Sequence, residues 1–164
     1  MRLIALVFVI ILLYSCASNP GMRLTSTAFQ DGKPIPAAFT CDGADQIPPL
    51  QIADVPANAR SLALVMDDPD APMGTWDHWV VWNIQPATTI IDAQLGVAGK
   101  NSWGRTDYGG PCPPSGTHRY YFKLYALDAL LDLPAGSNKA SLLQAMHGHV
   151  IAEATLRGTY QRRN

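Results

Sequence analysis

Several stretches of the chain carry a hydrophobic rhythm that loop sequence lacks. Residues 61–67 (SLALVMD) form a continuous apolar run closed by an acid, the pattern of a strand covered on both faces. Residues 76–84 (WDHWVVWNI) repeat it with larger side chains. Strand alternation there puts His78, Val80 and Trp82 on one face and Trp79, Val81 and Asn83 on the other. Both faces are bulky, so the pattern predicts a sheet sandwiched between two further layers. Residues 118–127 (HRYYFKLYAL) alternate strictly, with Arg119, Tyr121, Lys123 and Tyr125 opposite His118, Tyr120, Phe122 and Leu124. Residues 149–161 alternate as a final strand, 22–29 alternate loosely as a first, and 50–53 form a short one.

Between these lie turns and one helix. Asp31-Gly32, Asp42-Gly43 and the paired prolines 48 and 49 are turn chemistry. Asn138 or Ser137 caps a helix that runs to about His147, with Leu142, Leu143 and Met146 at helical spacing and Gly148 at its C-terminal end. Residues 85–115 show little periodicity. A loop of that length in a compact domain is usually functional or disordered, and Trp103 and Tyr108 argue against disorder. At 164 residues and 48% apolar content the chain suits one domain with a sizeable core. Thirteen glycines and thirteen prolines favour a strand-rich fold. Only 15% of residues are charged and the net charge is −1, so no broad field draws in nucleic acid.

Residues 1–16 follow a different rule. Arg2 precedes eleven uninterrupted apolar residues, Leu3 to Leu13, and then Tyr14, Ser15 and Cys16. This is the n-region and h-region of a secretory signal, too short for a bilayer span, which takes about 20 apolar residues. Leu13-Tyr14-Ser15-Cys16 resembles the lipobox of bacterial lipoproteins, whose cysteine is acylated and becomes the new amino terminus. The expected organisation is a signal over 1–16, a polar tether over 17–21 and a single domain over 22–164. No aspartate follows Cys16, which resembles lipoproteins of the outer membrane. The alternative is ordinary signal cleavage and a soluble periplasmic domain.

Two polar clusters run directly into predicted strands. In the first, Asp68 and Asp70 flank Pro69, and an extended backbone would aim both carboxylates to one side, with His78 following at the head of a strand. The second, residues 108–118, ends in His118. Two such junctions can build one pocket.

Together, DDPDAPMGTWDHWVVWNI at 67–84 and YGGPCPPSGTHRYYFKLYAL at 108–127 resemble the phosphatidylethanolamine-binding protein family, in its bacterial, Raf-kinase-inhibitor-like branch. A looser resemblance covers FTCDG around Cys41 and the terminal helix and strand, hence nearly all of the mature chain. It implies a mainly β fold with peripheral helices, in which a large antiparallel-rich sheet packs on a smaller one. It also implies a small pocket at one end for phosphate-like anions or a phosphoethanolamine head group. Carried over by motif, the ligand-binding residues are Asp68 and Asp70 of DPDAP, His78, Tyr108, Gly110 and Pro111 of YGGP, and His118 of HRY. The cysteine inside GGPCPP separates this loop from that of animal members, so kinase regulation is not carried over.

The residue types suit such a pocket. With Arg119 directed away from His118, an anion would be held by imidazole N–H groups and by a backbone nest at Gly109-Gly110. The aspartates would accept from the other histidine nitrogen or meet a ligand ammonium. The leading expectation is a non-catalytic binding protein for a small phosphorylated or zwitterionic ligand, held to the membrane by a lipid anchor, without cofactor, metal or nucleic acid. Three alternatives stand beside it. One is an inhibitor or scaffold that binds a protease or another protein. Another is a hydrolase using the Asp/His cluster, for which Ser115 is a weak nucleophile. The last is a zinc site, whose spacings match no standard pattern. In an oxidising compartment Cys41 and Cys112 either form a disulfide or remain two free thiols. Ala71-Pro72 is a candidate cis bond at the rim.

Overall fold

A computed structural model describes residues 21–162. The expected signal, Cys16 and residues 17–20 of the tether lie outside the described residues. In chain order the elements are β1 (Arg23–Ser26), β2 (Lys33–Pro34), a 3-10 turn (Ala37–Phe39), β3 (Leu50–Ala53), β4 (Ser61–Asp68), β5 (Trp76–Ile84), β6 (Ile90–Ile91), β7 (Val97–Ala98), β8 (His118–Leu127), α1 (Lys139–Met146) and β9 (Val150–Tyr160). The long segment after β5 therefore contains two short strands, where the sequence shows no period because each is only two residues long.

The strands form a six-stranded sheet in the order β2-β9-β8-β4-β5-β7 and a three-stranded sheet in the order β1-β3-β6. Among these strands every pairing is antiparallel except β2 with β9. The large sheet is covered on both sides at β4 and β5, whereas one side of β9 stays open to solvent. One face packs Leu64, Met66, Trp79, Val81, Phe122 and Leu124 against Leu24, Leu50, Ile52 and Ile91 of the small sheet. The other packs Ala63, Val65, Val80 and Trp82 under Leu127, Leu131 and the helix residues Leu142 and Met146. All eight residues of β4, the central strand, are buried, which accounts for its uninterrupted apolar run.

Helix α1 begins at Asn138, whose side chain accepts from the Ser141 backbone N–H at 3.0 Å, and ends before Gly148 at φ +81°. Leu142 and Met146 are buried, whereas Leu143 is exposed. Lys139 in its first turn reaches Asp77 (2.6 Å) and the buried Asp67 (2.9 Å), which also receives Lys123 (2.8 Å). These ion pairs tie the helix to the pocket end of the sheet, on the opposite side from the pocket.

Two irregularities in β5 break the expected alternation. Met66 pairs with Trp79 and Asp67 with Asp77, leaving His78 as the extra residue of a β-bulge. His78 thereby leaves the face of Val80 and Trp82 and packs edge-on against Tyr120, 5.2 Å between ring centroids, on the opposite face. Further along, Leu64 pairs with Val81 and Leu62 with Ile84, and Asn83 takes φ +55°. Its amide turns to Leu131, exchanging hydrogen bonds of 2.9 Å with the Leu131 backbone N–H and C=O. Asn83 is thus on the helix side with Trp82 and not, as alternation predicts, with Trp79 and Val81.

Candidate functional site

Strand β4 ends in two adjacent buried acids that alternation sends to opposite faces. Asp67 goes to the lysines near α1, and Asp68 goes to the side shared by His118 and Tyr120. Asp68 Oδ2 accepts from His118 Nδ1 at 2.7 Å, and Asp68 Oδ1 accepts from the Asp70 backbone N–H at 2.8 Å. The second bond is an Asx turn that takes the chain out of the strand at Pro69. The turn sends Asp70 away from the pocket, and its carboxylate meets Arg119 through Nε at 2.8 Å, Nη2 at 2.6 Å and the backbone N–H at 2.8 Å. Hydrogen bonding to Arg119 holds the Asp70 carboxyl down at about 2. The two aspartates therefore do not share a side, because the backbone is turned at Pro69 instead of extended. Among the described residues all peptide bonds are trans, Ala71-Pro72 included.

His78 donates from Nδ1 to the Gly109 carbonyl at 2.7 Å. A carbonyl only accepts, so this bond sets the tautomer, and Nε2 of the neutral ring keeps its lone pair. Burial holds the His78 imidazolium below the ordinary 6.5, against opposition from the Gly109 carbonyl and the Asp68 charge. His118 is oriented in a similar way, its Nδ1 facing the Asp68 carboxylate and its Nε2 left for a ligand. Tyr120 brings a fully buried hydroxyl beside Asp68 and the Cys112 backbone without completing a hydrogen bond. Burial, and then the Asp68 charge, push its ionisation up, so the phenol stays neutral.

Asp68, His78 and His118 line a cavity of about 340 Å³ together with Pro72, Met73, Trp76, Trp103, Cys112 and Pro114. Its walls are mostly apolar, and among the described residues no lysine or arginine lines it. A larger groove of about 690 Å³ runs beside β2 and β9, but its one charged lining residue, Asp42, is already held by Tyr160 (2.8 Å) and Arg162 (3.0 Å). The smaller cavity, by contrast, presents ionisable groups with uncommitted atoms, the Nε2 nitrogens of His78 and His118.

The other expected ligand residues support this pocket from behind. Tyr108 is buried, donates its hydroxyl proton to the Phe39 carbonyl at 2.9 Å and packs edge-on against Trp79. Gly110 donates its N–H to Asp45 at 2.8 Å, and a Cβ there would collide with Asp45, the Phe39 carbonyl and Thr40. Gly109 donates its N–H to the His78 carbonyl at 3.2 Å. Neither glycine is at positive φ, so the expected anion nest does not form, its two N–H groups being spent on the scaffold. Pro111 accepts from the Cys41 N–H at 3.2 Å. Cys41 and Cys112 are joined as a disulfide with Cα atoms 5.4 Å apart.

The sequence gives the aromatic wall residue Trp103 no place in the pocket. Trp103 packs edge-on against His78 (5.0 Å) and Trp76 (5.4 Å), with the Arg105 guanidinium over its ring. The loop that carries it is built around buried Asn101, whose Oδ1 accepts from the Trp103 and Arg105 N–H groups and whose Nδ2 donates to the Asp107 carbonyl at 3.0 Å. An aromatic residue beside a glycine inside a long loop was the available signal. Met73, 95% exposed, forms the rim.

The arrangement defines a class: a β-sandwich domain with a mostly apolar pocket at one sheet end, floored by two histidines whose inner nitrogens are committed to the scaffold and whose Nε2 atoms face the cavity. The particular family follows from comparison with known proteins. The phosphatidylethanolamine-binding protein profile matches residues 25–161, and the chain belongs to that family. It is 49% identical over 150 residues to a UPF0098 protein of Methanothermobacter thermautotrophicus, covering 86% of this chain and 99% of the relative. A UPF0098 protein of Chlamydia trachomatis is 46% identical over 149 residues, covering 86% and 99%. Among solved structures, a putative phosphatidylethanolamine-binding protein homolog, CT736 of Chlamydia trachomatis, superposes with TM-score 0.86 at 46% identity, covering 89% of this chain and all of that one. Escherichia coli YbcL, described as a new member of the mammalian family, superposes at 0.80 with 29% identity, covering 88% and 100%.

Proposed function

We propose that the protein is a non-catalytic binding protein whose pocket takes a small phosphorylated or zwitterionic ligand of the phosphoethanolamine type. The observation that carries this reading is the commitment of both inner histidine nitrogens, His78 Nδ1 to Gly109 and His118 Nδ1 to Asp68, which leaves two Nε2 atoms for one cavity. A neutral ring in this tautomer offers only a lone pair at Nε2, whereas an imidazolium donates there. Phosphate binding is thus coupled to proton uptake. A ligand ammonium is met by Asp68, and the ligand's methylenes by Trp76, Trp103 and Met73. Among the described residues the lining contains no serine or threonine, and its cysteine is tied in the disulfide, which supports binding over covalent catalysis.

The apolar leader and the lipobox-like Cys16 support an exported domain held at the envelope by acyl chains, each buried methylene contributing about 0.8 kcal/mol. Palmitate labelling that disappears in Cys16→Ser is the expected result. The pocket itself is tested by calorimetry with phosphoethanolamine, inorganic phosphate and acetate at pH 6 and pH 8. Phosphoethanolamine and phosphate bind, more tightly at pH 6, and His78→Ala and His118→Ala lose the binding. Parent-like affinity in both variants overturns the reading.

A further inference from the structure

We propose that the Cys41–Cys112 disulfide is a thiol-exchange site that controls the geometry, and through it the affinity, of the histidine pocket; this rests on the binding role proposed above for that pocket. Three observations converge. Both cysteines are exposed, and Cys112 is itself part of the cavity lining. Gly109, three residues before Cys112, holds His78 at two points, accepting from Nδ1 at 2.7 Å and donating to the His78 carbonyl at 3.2 Å. Residues 108–112 are in turn fastened to a single segment, 39–45, by the disulfide and by three hydrogen bonds, from Tyr108 to Phe39, from Gly110 to Asp45 and from Cys41 to Pro111. The covalent tie is one of four fastenings on the loop that orients His78, and it alone can be opened chemically.

Opening it does not dismantle the fold. Neither cysteine belongs to either hydrophobic core, and the sheet pairings run elsewhere. Reduction by a dithiol balances as follows. One thiolate of the reductant attacks the Cys41 sulfur, a mixed disulfide forms, and Cys112 leaves as the thiolate and takes up a proton. The reductant's second thiolate then attacks its own sulfur in the mixed disulfide, and Cys41 leaves and is protonated. The reductant ends as its disulfide, having supplied two electrons. With the bond open, residues 108–112 keep three hydrogen bonds to 39–45 and gain freedom at Cys112, so the wall beside His78 samples arrangements that do not fit the ligand. In an oxidising compartment the pocket is closed on its competent geometry, and thiol reductants lower its affinity.

The test uses protein purified with the disulfide intact, before and after excess dithiothreitol. Phosphoethanolamine and inorganic phosphate binding are followed by calorimetry, and the His78 ring by NMR. Two new thiols per chain are expected with unchanged far-UV dichroism, together with displaced His78 resonances. Affinity should fall roughly tenfold, the value for a pocket competent a tenth of the time. The Cys41→Ser/Cys112→Ser double variant should match the reduced protein and ignore dithiothreitol. Equal affinity and unchanged His78 resonances after verified reduction overturn the proposal, as does a disulfide that yields only when the protein unfolds. If neither redox form binds either ligand, the binding role falls, and the His78 resonances alone decide whether the disulfide governs the pocket.

Discussion

His118 donates to Asp68 across 2.7 Å between side chains that are 8% and 5% exposed. Asp68 lies at the end of the central strand and His118 at the start of its neighbour, so one hydrogen bond closes the pocket end of the sheet. Removing either partner leaves a buried polar group alone, which costs about 1–3 kcal/mol. Asp68→Ala and His118→Ala should each lower stability in urea denaturation by that amount. The double variant should lose less than the sum of the two. Additive losses would mean that the bond contributes no coupling.

His78 makes stability depend on pH. Its folded-state affinity for a proton is depressed, chiefly by burial, relative to the ordinary 6.5. The unfolded chain therefore binds the proton first as pH falls. Stability is complete above about pH 6.5 and is lost as pH falls through the lower folded value. His78→Asn keeps a donor for the Gly109 carbonyl and does not titrate, so urea midpoints measured from pH 8 to pH 5 should fall less steeply than in the parent. Parallel curves would assign the slope to other groups.

Asp70 and Arg119 lie outside the cavity, which separates two carboxylates that the sequence presents as a pair. Asp70→Asn should leave phosphoethanolamine affinity within about twofold, as for a surface group away from a site, whereas Asp68→Asn should remove it. The Asp70 ion pair is complete above pH 3.8 and is lost as pH falls through about 2. Arg119→Ala should move the Asp70 carboxyl titration upward in NMR, and an unmoved titration would deny the pair its role.

Gly110 is a packing glycine. A methyl group there meets Asp45, the Phe39 carbonyl and Thr40, of which two are backbone contacts that cannot swing aside. Gly110→Ala should destabilise by about 1–3 kcal/mol, the usual cost of overpacking. A neutral result in thermal or urea unfolding would show that residues 39–45 yield.

The longer strands were legible in the sequence, as an alternating pattern where one face is buried and as a continuous apolar run where both are, whereas the two-residue strands β2, β6 and β7 are too short to leave a pattern. The bounds of β3 and β5 and the alternation of β8 follow from side chains that must face a core or water. The helix cap was legible as well, since Asn138 bonds a backbone N–H only three residues away. The family resemblance rested on two ordered motifs and pointed to Asp68, His78 and His118, which do converge on one cavity.

Contacts between residues far apart in the chain decided the rest. His78 reaches the pocket face only because a bulge opposite Met66 and Asp67 adds a residue to β5, and Asn83 crosses to the helix side by a left-handed turn of the backbone. Both depend on pairing with β4, which no local period records. The Gly109 and Gly110 N–H groups looked free for an anion, but His78 and Asp45, 31 and 65 residues away, already occupy them. Sequence by itself determined which residues are apolar, which can turn and which can carry charge. Tertiary structure decided which of those polar groups remain unspent, because a buried hydrogen-bonding group takes whatever partner the fold brings to it.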